Sequence, residues 1–456
     1  MPRMKRNLAY GIAGTAMLVL VAGPSATGQP GWLRLTSSVA RVRVTGSATS
    51  AWSAPELIPA HGLGTPAPTH PPVFDAKGDA VLVWTEARAS FKDVVTVEYL
   101  VRASVRPVDG TWQPPELLSR FGLNPAVAID GSGDAIAVWE SPFGLQAAVR
   151  PAGGSWLATQ TVATPGGEDP QVASNASGEA LLVANRQEAG RSTGIQAVML
   201  SSTGPFSPAQ VISAPEKDFD PRIAMNARGD ALVAWEREDP CCSLAASFHP
   251  ARGGWSKPRA LAGRHGSPTD QHVAIDDRGD GVVVWLASRG RKQSVESASR
   301  SAKGRWTASH LAEAPVIDEN LDVGMDARGD TMVVWREMPL KSSAFGRGSA
   351  IWARIRPAGR GWTTAQKIRG ADGSPSLAVD ARGNALVAWE DWGEIKVAAR
   401  PIGSRWSKPY TVSAPEHPAW AADGGLAALD ARGDALVTWQ NREEGIKTAW
   451  HASLFP

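Results

Sequence analysis

The sequence predicts an all-β chain folded as an eight-bladed β-propeller of four-stranded antiparallel blades. The first observation is a phrase that returns eight times: an Asp or Asn, two residues, Gly, an acid or Asn, then an apolar run that usually closes on Trp. It begins at Asp75, Asp130, Asn175, Asn226, Asp276, Asp326, Asp380 and Asp430. A spacing of 45 to 55 residues, with strand-like runs in every unit, is the signature of a propeller-type repeat. The second observation is that each unit divides into four strands with no room for a crossover helix. The third is that the chain begins and ends on incomplete units that complement each other.

Within a unit the strands take the following order. A first run such as Pro125 to Asp130 leads into the repeated turn. The second strand follows it, the third is represented by Leu145 to Pro151, and the fourth starts at a Trp, as in Trp255 to Leu261. In Ala231-Leu232-Val233-Ala234-Trp235 successive side chains are all apolar, so both faces of that strand expect cover, which stacked blades provide. In the Asp-x-x-Gly phrase the Asp side chain can accept from main-chain N–H groups two residues on, while Gly supplies the left-handed conformation of a tight hairpin. Acids at spacing four, Asp75 with Asp79 and Asp130 with Asp134, would also begin a calcium loop. The positions after the Gly-acid pair are apolar, however, and offer no further oxygen ligands. No metal is therefore expected.

A second phrase precedes the fourth strand: Arg106 to Trp112, Arg150 to Trp156, His249 to Trp255, Arg356 to Trp362 and Arg400 to Trp406, each with Gly in a tight turn. With the S-x-P-x-x-L that can follow, it resembles the Asp-box or BNR repeat of the sialidase superfamily, in which a Ser-x-Asp-x-Gly-x-Thr-Trp turn joins the third and fourth strands. The defining Ser and Asp are missing from almost every copy, and Asp109 is the nearest approach. The resemblance implies a propeller. A sialidase would also need three Arg on a carboxylate, a Tyr nucleophile paired with Glu, and an Asp acid. Outside the leader the only tyrosines are Tyr99 and Tyr410, both on expected outer strands.

Eight first strands can be counted, the last at about Leu426 to Asp430. Its unit continues through Ala435 to Gln440 and Ile446 to Ala452 and then lacks a fourth strand. Trp52 to Ile58 is a fourth strand with no blade before it. Joined, the two ends make one blade that closes the ring and removes its open edges.

Composition agrees with an exported all-β chain: 456 residues with 46 Gly and 34 Pro for turns, 2 Cys and a net charge of +2. These values indicate neither nucleic-acid binding nor a disulfide scaffold. Residues 1–28 read as a signal peptide, with Arg3, Lys5 and Arg6 before an apolar run from Leu8 to Ala22 and small residues Ala26-Thr27-Gly28. That run is too short for stable membrane insertion. Residues 29–50 form a polar lead and 51–456 the propeller, expected to be a secreted monomer.

Cys241 and Cys242 are adjacent, between second and third strands; they suit either a vicinal disulfide or a pair of thiols in a loop. A vicinal pair also occurs in quinone-dependent alcohol dehydrogenases, which resemble this chain in having eight blades. Their Trp-docking phrase spaces Gly and Trp differently from Gly229 and Trp235, and no cofactor is expected.

Of the 19 Trp, fourteen fall on two repeated positions as packing residues. Trp32, Trp352, Trp392, Trp420 and Trp450 do not. Trp392 and Trp420 lie in connections of successive blades on one face. With Glu390, Asp391, Glu394, Glu416, His417 and Asp423 they form a candidate site for stacking a sugar ring and bonding its hydroxyls. The sequence thus points to a binding protein that presents loops to a glycan or an extracellular protein. The alternative is an extracellular glycoside hydrolase, sialidase-like, or a lyase on the same scaffold.

Overall fold

The computed structural model describes residues 52–58, 68–90, 96–163, 166–188, 191–202, 204–214, 218–238, 243–262, 267–290, 292–314, 316–317, 321–338, 349–370, 373–413, 425–441 and 445–455. The leader, the polar lead, Cys241, Cys242, Glu416, His417, Trp420 and Asp423 lie outside them. Eight antiparallel sheets follow one another, and no helix occurs among the described residues. Blade 2 shows the pattern, with strands Leu123–Ile129, Ala135–Ser141, Gly144–Arg150 and Gln160–Ala163 paired in sequence order. Blade 6 differs in its first strand, which is split into Val316–Ile317 and Asp322–Met325, both paired with Thr331–Met338. The first strands of neighbouring blades contact one another in a closed cycle around the channel.

Closure occurs as the two chain ends anticipate. Glu56–Ile58 pairs antiparallel with Gly445–His451, so the last blade takes three strands from the C-terminus and its outer strand from the N-terminal side. Blade 1 is tied to that joint through Trp112, whose Nε1 donates to Thr448 Oγ1 (2.9 Å). Ile58 is 1% exposed in the seam, together with Leu82, Trp84, Leu436 and Ile446.

The repeated turn uses both of its acids. In blade 1, Asp75 Oδ1 accepts from the N–H groups of Lys77 (2.8 Å) and Asp79 (2.9 Å), and Gly78 takes φ +89°. The second acid reaches across the blade to the hairpin between third and fourth strands. Val108 N donates to Asp79 Oδ1 (2.8 Å), Ala152 N to Asp134 Oδ1 (2.8 Å), Ala251 N to Asp230 Oδ1 (2.9 Å) and Ser453 N to Asp434 Oδ1 (2.7 Å). The phrase is a two-point staple: one carboxylate shapes its own turn, and the next fastens the Arg-Pro hairpin to it.

The tryptophans of the second strands fill the seams. Trp84, Trp139, Trp235, Trp335 and Trp389 are fully buried, and Trp139 packs on Val81, Val83, Val101 and Ala103 of the preceding blade. All of Ala231 to Trp235 is buried, as continuous apolar character on both faces requires. Trp235 also meets its polar need, donating from Nε1 to Asp218 Oδ2 (2.9 Å), while Arg237 pairs with the other oxygen of the same carboxylate (3.1 Å).

Candidate functional site

An antiparallel meander sends the hairpins between second and third strands, and the connections from one blade to the next, to the same face. Three features lie there. They are a cleft over blades 1 to 3, the polar mouth of the channel, and the hairpin of blade 7 that carries Trp392.

The cleft has a volume of about 330 Å³ and is lined by Tyr99, Phe121, Gly122, Leu123, Glu140, Ser141, Pro142, Gly166, Gly167, Glu168 and Gln187. Tyr99 stands near the start of the third strand of blade 1. An isolated parallel bridge sets it beside Phe121, and Gly122 N donates to Tyr99 O (2.9 Å). Phe121 is held by Ser119, whose Oγ both donates to the Phe121 carbonyl (3.0 Å) and accepts from its N–H (3.1 Å). Gly122 has no side chain because a Cβ there would collide with Val101 and the Trp139 indole. The walls are therefore exposed aromatic groups, Tyr99 at 38% and Phe121 at 47%, on a backbone fixed by packing below.

The carboxylates come from blades 2 and 3. Glu140 ends the second strand of blade 2, and its Oε1 accepts from Asn124 Nδ2 (2.7 Å) and from Asp169 N (2.8 Å). Burial raises its pKa above the usual carboxylate range; the two donors oppose this, and neighbouring Asp169 and Glu168 add to it. Asp169 is raised as well, first by burial and then by Asp220, against the pull of Arg222. Glu168 is exposed and accepts from Gln187 Nε2 (2.9 Å).

The seam beneath this cleft departs from the repeat. Where seven blades carry Trp at the end of the apolar run, blade 3 carries Ala184. In blade 2 the indole of Trp139 donates to Gln146 Oε1 (3.1 Å). Gln196 occupies the matching place opposite Ala184, is 2% exposed, and its Nε2 has no partner. A Cβ on Gly167 would stand 2.8 Å from that nitrogen, so the donor lies directly under the glycine floor.

The channel mouth rests on a further regularity. Six residues before the turn Asp or Asn stand Asn124, Asp169, Asp220 and Asp270, each at positive φ (47° to 53°). A bulge there interrupts the register of four consecutive first strands. Two residues on, the chain carries Gln171, Arg222 and His272; blade 6 continues the row with Asp322 and blade 7 with Ser376. These groups engage one another. Arg222 Nη1 donates to Asp220 Oδ1 (2.6 Å), and His272 sits between Asp270 (3.3 Å) and Asp322 (3.4 Å). Burial alone would lower the His272 pKa, but the two carboxylates outweigh it and bring it to about 9. His70 meets Gln171 of blade 3 (3.3 Å), and burial, followed by the charge of Arg222, pushes its pKa down. Blade-to-blade bonds carry the row from blade 5 to blade 8: Leu321 N to Asp270 Oδ2 (2.7 Å), Leu377 N to Asp322 Oδ2 (2.8 Å) and Ala427 N to Ser376 Oγ (3.1 Å). Arg222 and His272 pair with Asp220, Asp270 and Asp322, and these contacts tie the inner strands together.

Of the residues expected to form a site, the structure brings Glu390, Asp391, Trp392 and Glu394 to one hairpin. Trp392 and Gly393 are its central residues, at φ 54° and 79°, a turn that favours Asn-Gly and strains a bulky aromatic residue. Trp392 is 51% exposed. Lys396 pairs with Asp391 and lies 3.3 Å from Glu394, so one lysine is shared between the two acids. Tyr99, Phe121, Glu140 and Glu168 were not among the expected residues. The signals that mark them are two aromatics off the packing positions and the missing Trp at Ala184.

No family model matches the chain, and no curated protein matches it. Among solved structures it is similar to an ulvan lyase from a new family of polysaccharide lyases, at 12% identity over 86% of this chain and 95% of that one, with a TM-score of 0.43. It is also similar to a protein of unknown function from Dyadobacter fermentans, at 14% identity over 79% and 98%, TM-score 0.43. A mutant of the Aleuria aurantia lectin is similar at 12% identity over 66% and 99%, TM-score 0.37. Likenesses this distant leave the chemistry to the chain's own residues. No helix among the described residues is long and apolar enough to cross a membrane.

Proposed function

We propose that this is an exported propeller that binds a glycan in the cleft over blades 1 to 3. The observation that carries the reading is a 330 Å³ cleft that pairs two exposed aromatic walls, Tyr99 and Phe121, with the carboxylates Glu140 and Glu168. A sugar ring has apolar C–H faces and a rim of hydroxyls. Aromatic walls take the faces, and carboxylates accept from the hydroxyls. Trp392 on the same face is suited to a further stacking contact on a longer chain. A glycan array probed with the mature protein and with a Tyr99→Ala/Phe121→Ala double variant tests the reading: signals present in the first should vanish in the second. Equal signals from both would refute it.

One observation favours a second reading, hydrolase or lyase chemistry in the same cleft. Burial favours the protonated form of Glu140, as an acid catalyst requires, beside a second raised carboxyl, Asp169. New reducing ends or unsaturated ends released from the bound glycan by the wild type, and not by Glu140→Gln, would establish it; intact glycan after long incubation would exclude it.

A further inference from the structure

We infer that the sugar unit seated in the cleft is a hexosamine with a free, protonated amino group, its ammonium held between Tyr99 and Phe121 by Glu140 and Glu168. The inference rests on the glycan-binding reading above and adds the class of sugar. Among the described residues lining the cleft there are two carboxylates, two aromatic rings and no Lys, Arg or His. Two arginines of blades 3 and 4 are paired with acids of their own: Arg186 with Glu188, and Arg222 with Asp220. Aromatic faces and carboxylates both attract an ammonium group, and both disfavour a uronate or sulfate.

Glu140 shows the shortage of positive charge directly. Its charged neighbours are the acids Asp169 and Glu168, and its bonds come only from neutral donors, Asn124 Nδ2 and Asp169 N. An ammonium ion entering the cleft would supply the missing counter-charge. A volume of about 330 Å³ falls in the range of small-ligand sites and suits a sugar unit rather than a long segment of chain.

Titration calorimetry of the full mature chain at pH 6 tests the assignment with three probes: a β-1,4-linked glucosamine oligomer, its fully N-acetylated form, and a uronate oligomer of equal length. The glucosamine oligomer should bind at least about tenfold tighter than either of the others, and Glu140→Gln or Glu168→Gln should bring that ratio close to one. Glu168 is exposed, so its variant stays informative if replacing Glu140 disturbs folding. Equal or tighter binding of the N-acetylated or uronate probe would overturn the amine assignment while leaving glycan binding standing. An array on which no saccharide of any class binds would overturn both.

Discussion

Between pH 6.5 and 9 the wild-type protein should lose stability that a His272→Gln variant never has. His272 lies between Asp270 and Asp322, and its pKa is raised from 6.5 to about 9. A group whose folded pKa exceeds its unfolded value binds protons more tightly when folded. Its stabilisation is complete below pH 6.5 and disappears as pH rises through 9. A shift of this size corresponds to roughly 3 kcal/mol. With the side chain 29% exposed, screening by solvent brings the expected contribution to about 2 kcal/mol. In a chain this long that is a melting shift of about 2–4 °C. Thermal unfolding followed by circular dichroism at pH 6, 7.5 and 9 measures it. The wild-type curve should fall toward the variant's as pH rises, and the two should meet near pH 9 to 10. Parallel curves, or a variant that keeps the slope, would refute the assignment of the charge to this Asp-His-Asp bridge.

Other outcomes follow from the same structure. Gly229→Val should destabilise by roughly 1–3 kcal/mol in a chemical denaturation series, because φ is +94° there and a β-branched residue is strained at positive φ; chelator should leave the melting temperature unchanged. Deleting residues 52–58 should cost several kcal/mol by baring the Gly445–His451 edge and the pocket of Ile58, and a truncated chain melting at the wild-type temperature would contradict ring closure. Glu140→Gln should raise the melting temperature slightly at pH 7 while weakening glycan binding, since burial makes the ionised carboxylate costly; a drop in melting temperature would show that its bonds to Asn124 and Asp169 outweigh that cost.

The architecture was legible because it rests on local chemistry repeated eight times. Each Asp-x-x-Gly turn carries its own acceptor and its own left-handed Gly, and the incomplete units at the two ends need each other's edges. The second acid of the phrase was less legible, since Asp79 and Asp134 act on hairpins 29 and 18 residues away that only the folded blade brings close. The cleft was hidden for a related reason. Tyr99 belongs to an outer strand by its register, and only the bridge to Phe121 brings both to the rim. Glu140 sits at the same register as Glu236 and Glu390; what distinguishes it is the bulge at Asn124 and the start of blade 3. Trp392 is exposed as its place off the packing positions suggested, but Asp391 and Glu394 beside it share the one ammonium of Lys396, five residues from Asp391.

The most direct test of the central claim compares Tyr99→Ala with Trp392→Ala by titration against the glycan an array selects. If the cleft is the primary site, Tyr99→Ala should weaken binding by about 1–3 kcal/mol, roughly 5- to 150-fold in Kd, with an unchanged melting temperature, and Trp392→Ala should cost less. Wild-type affinity in Tyr99→Ala, together with lost binding in Trp392→Ala, would place the site on the blade 7 hairpin and contradict the account.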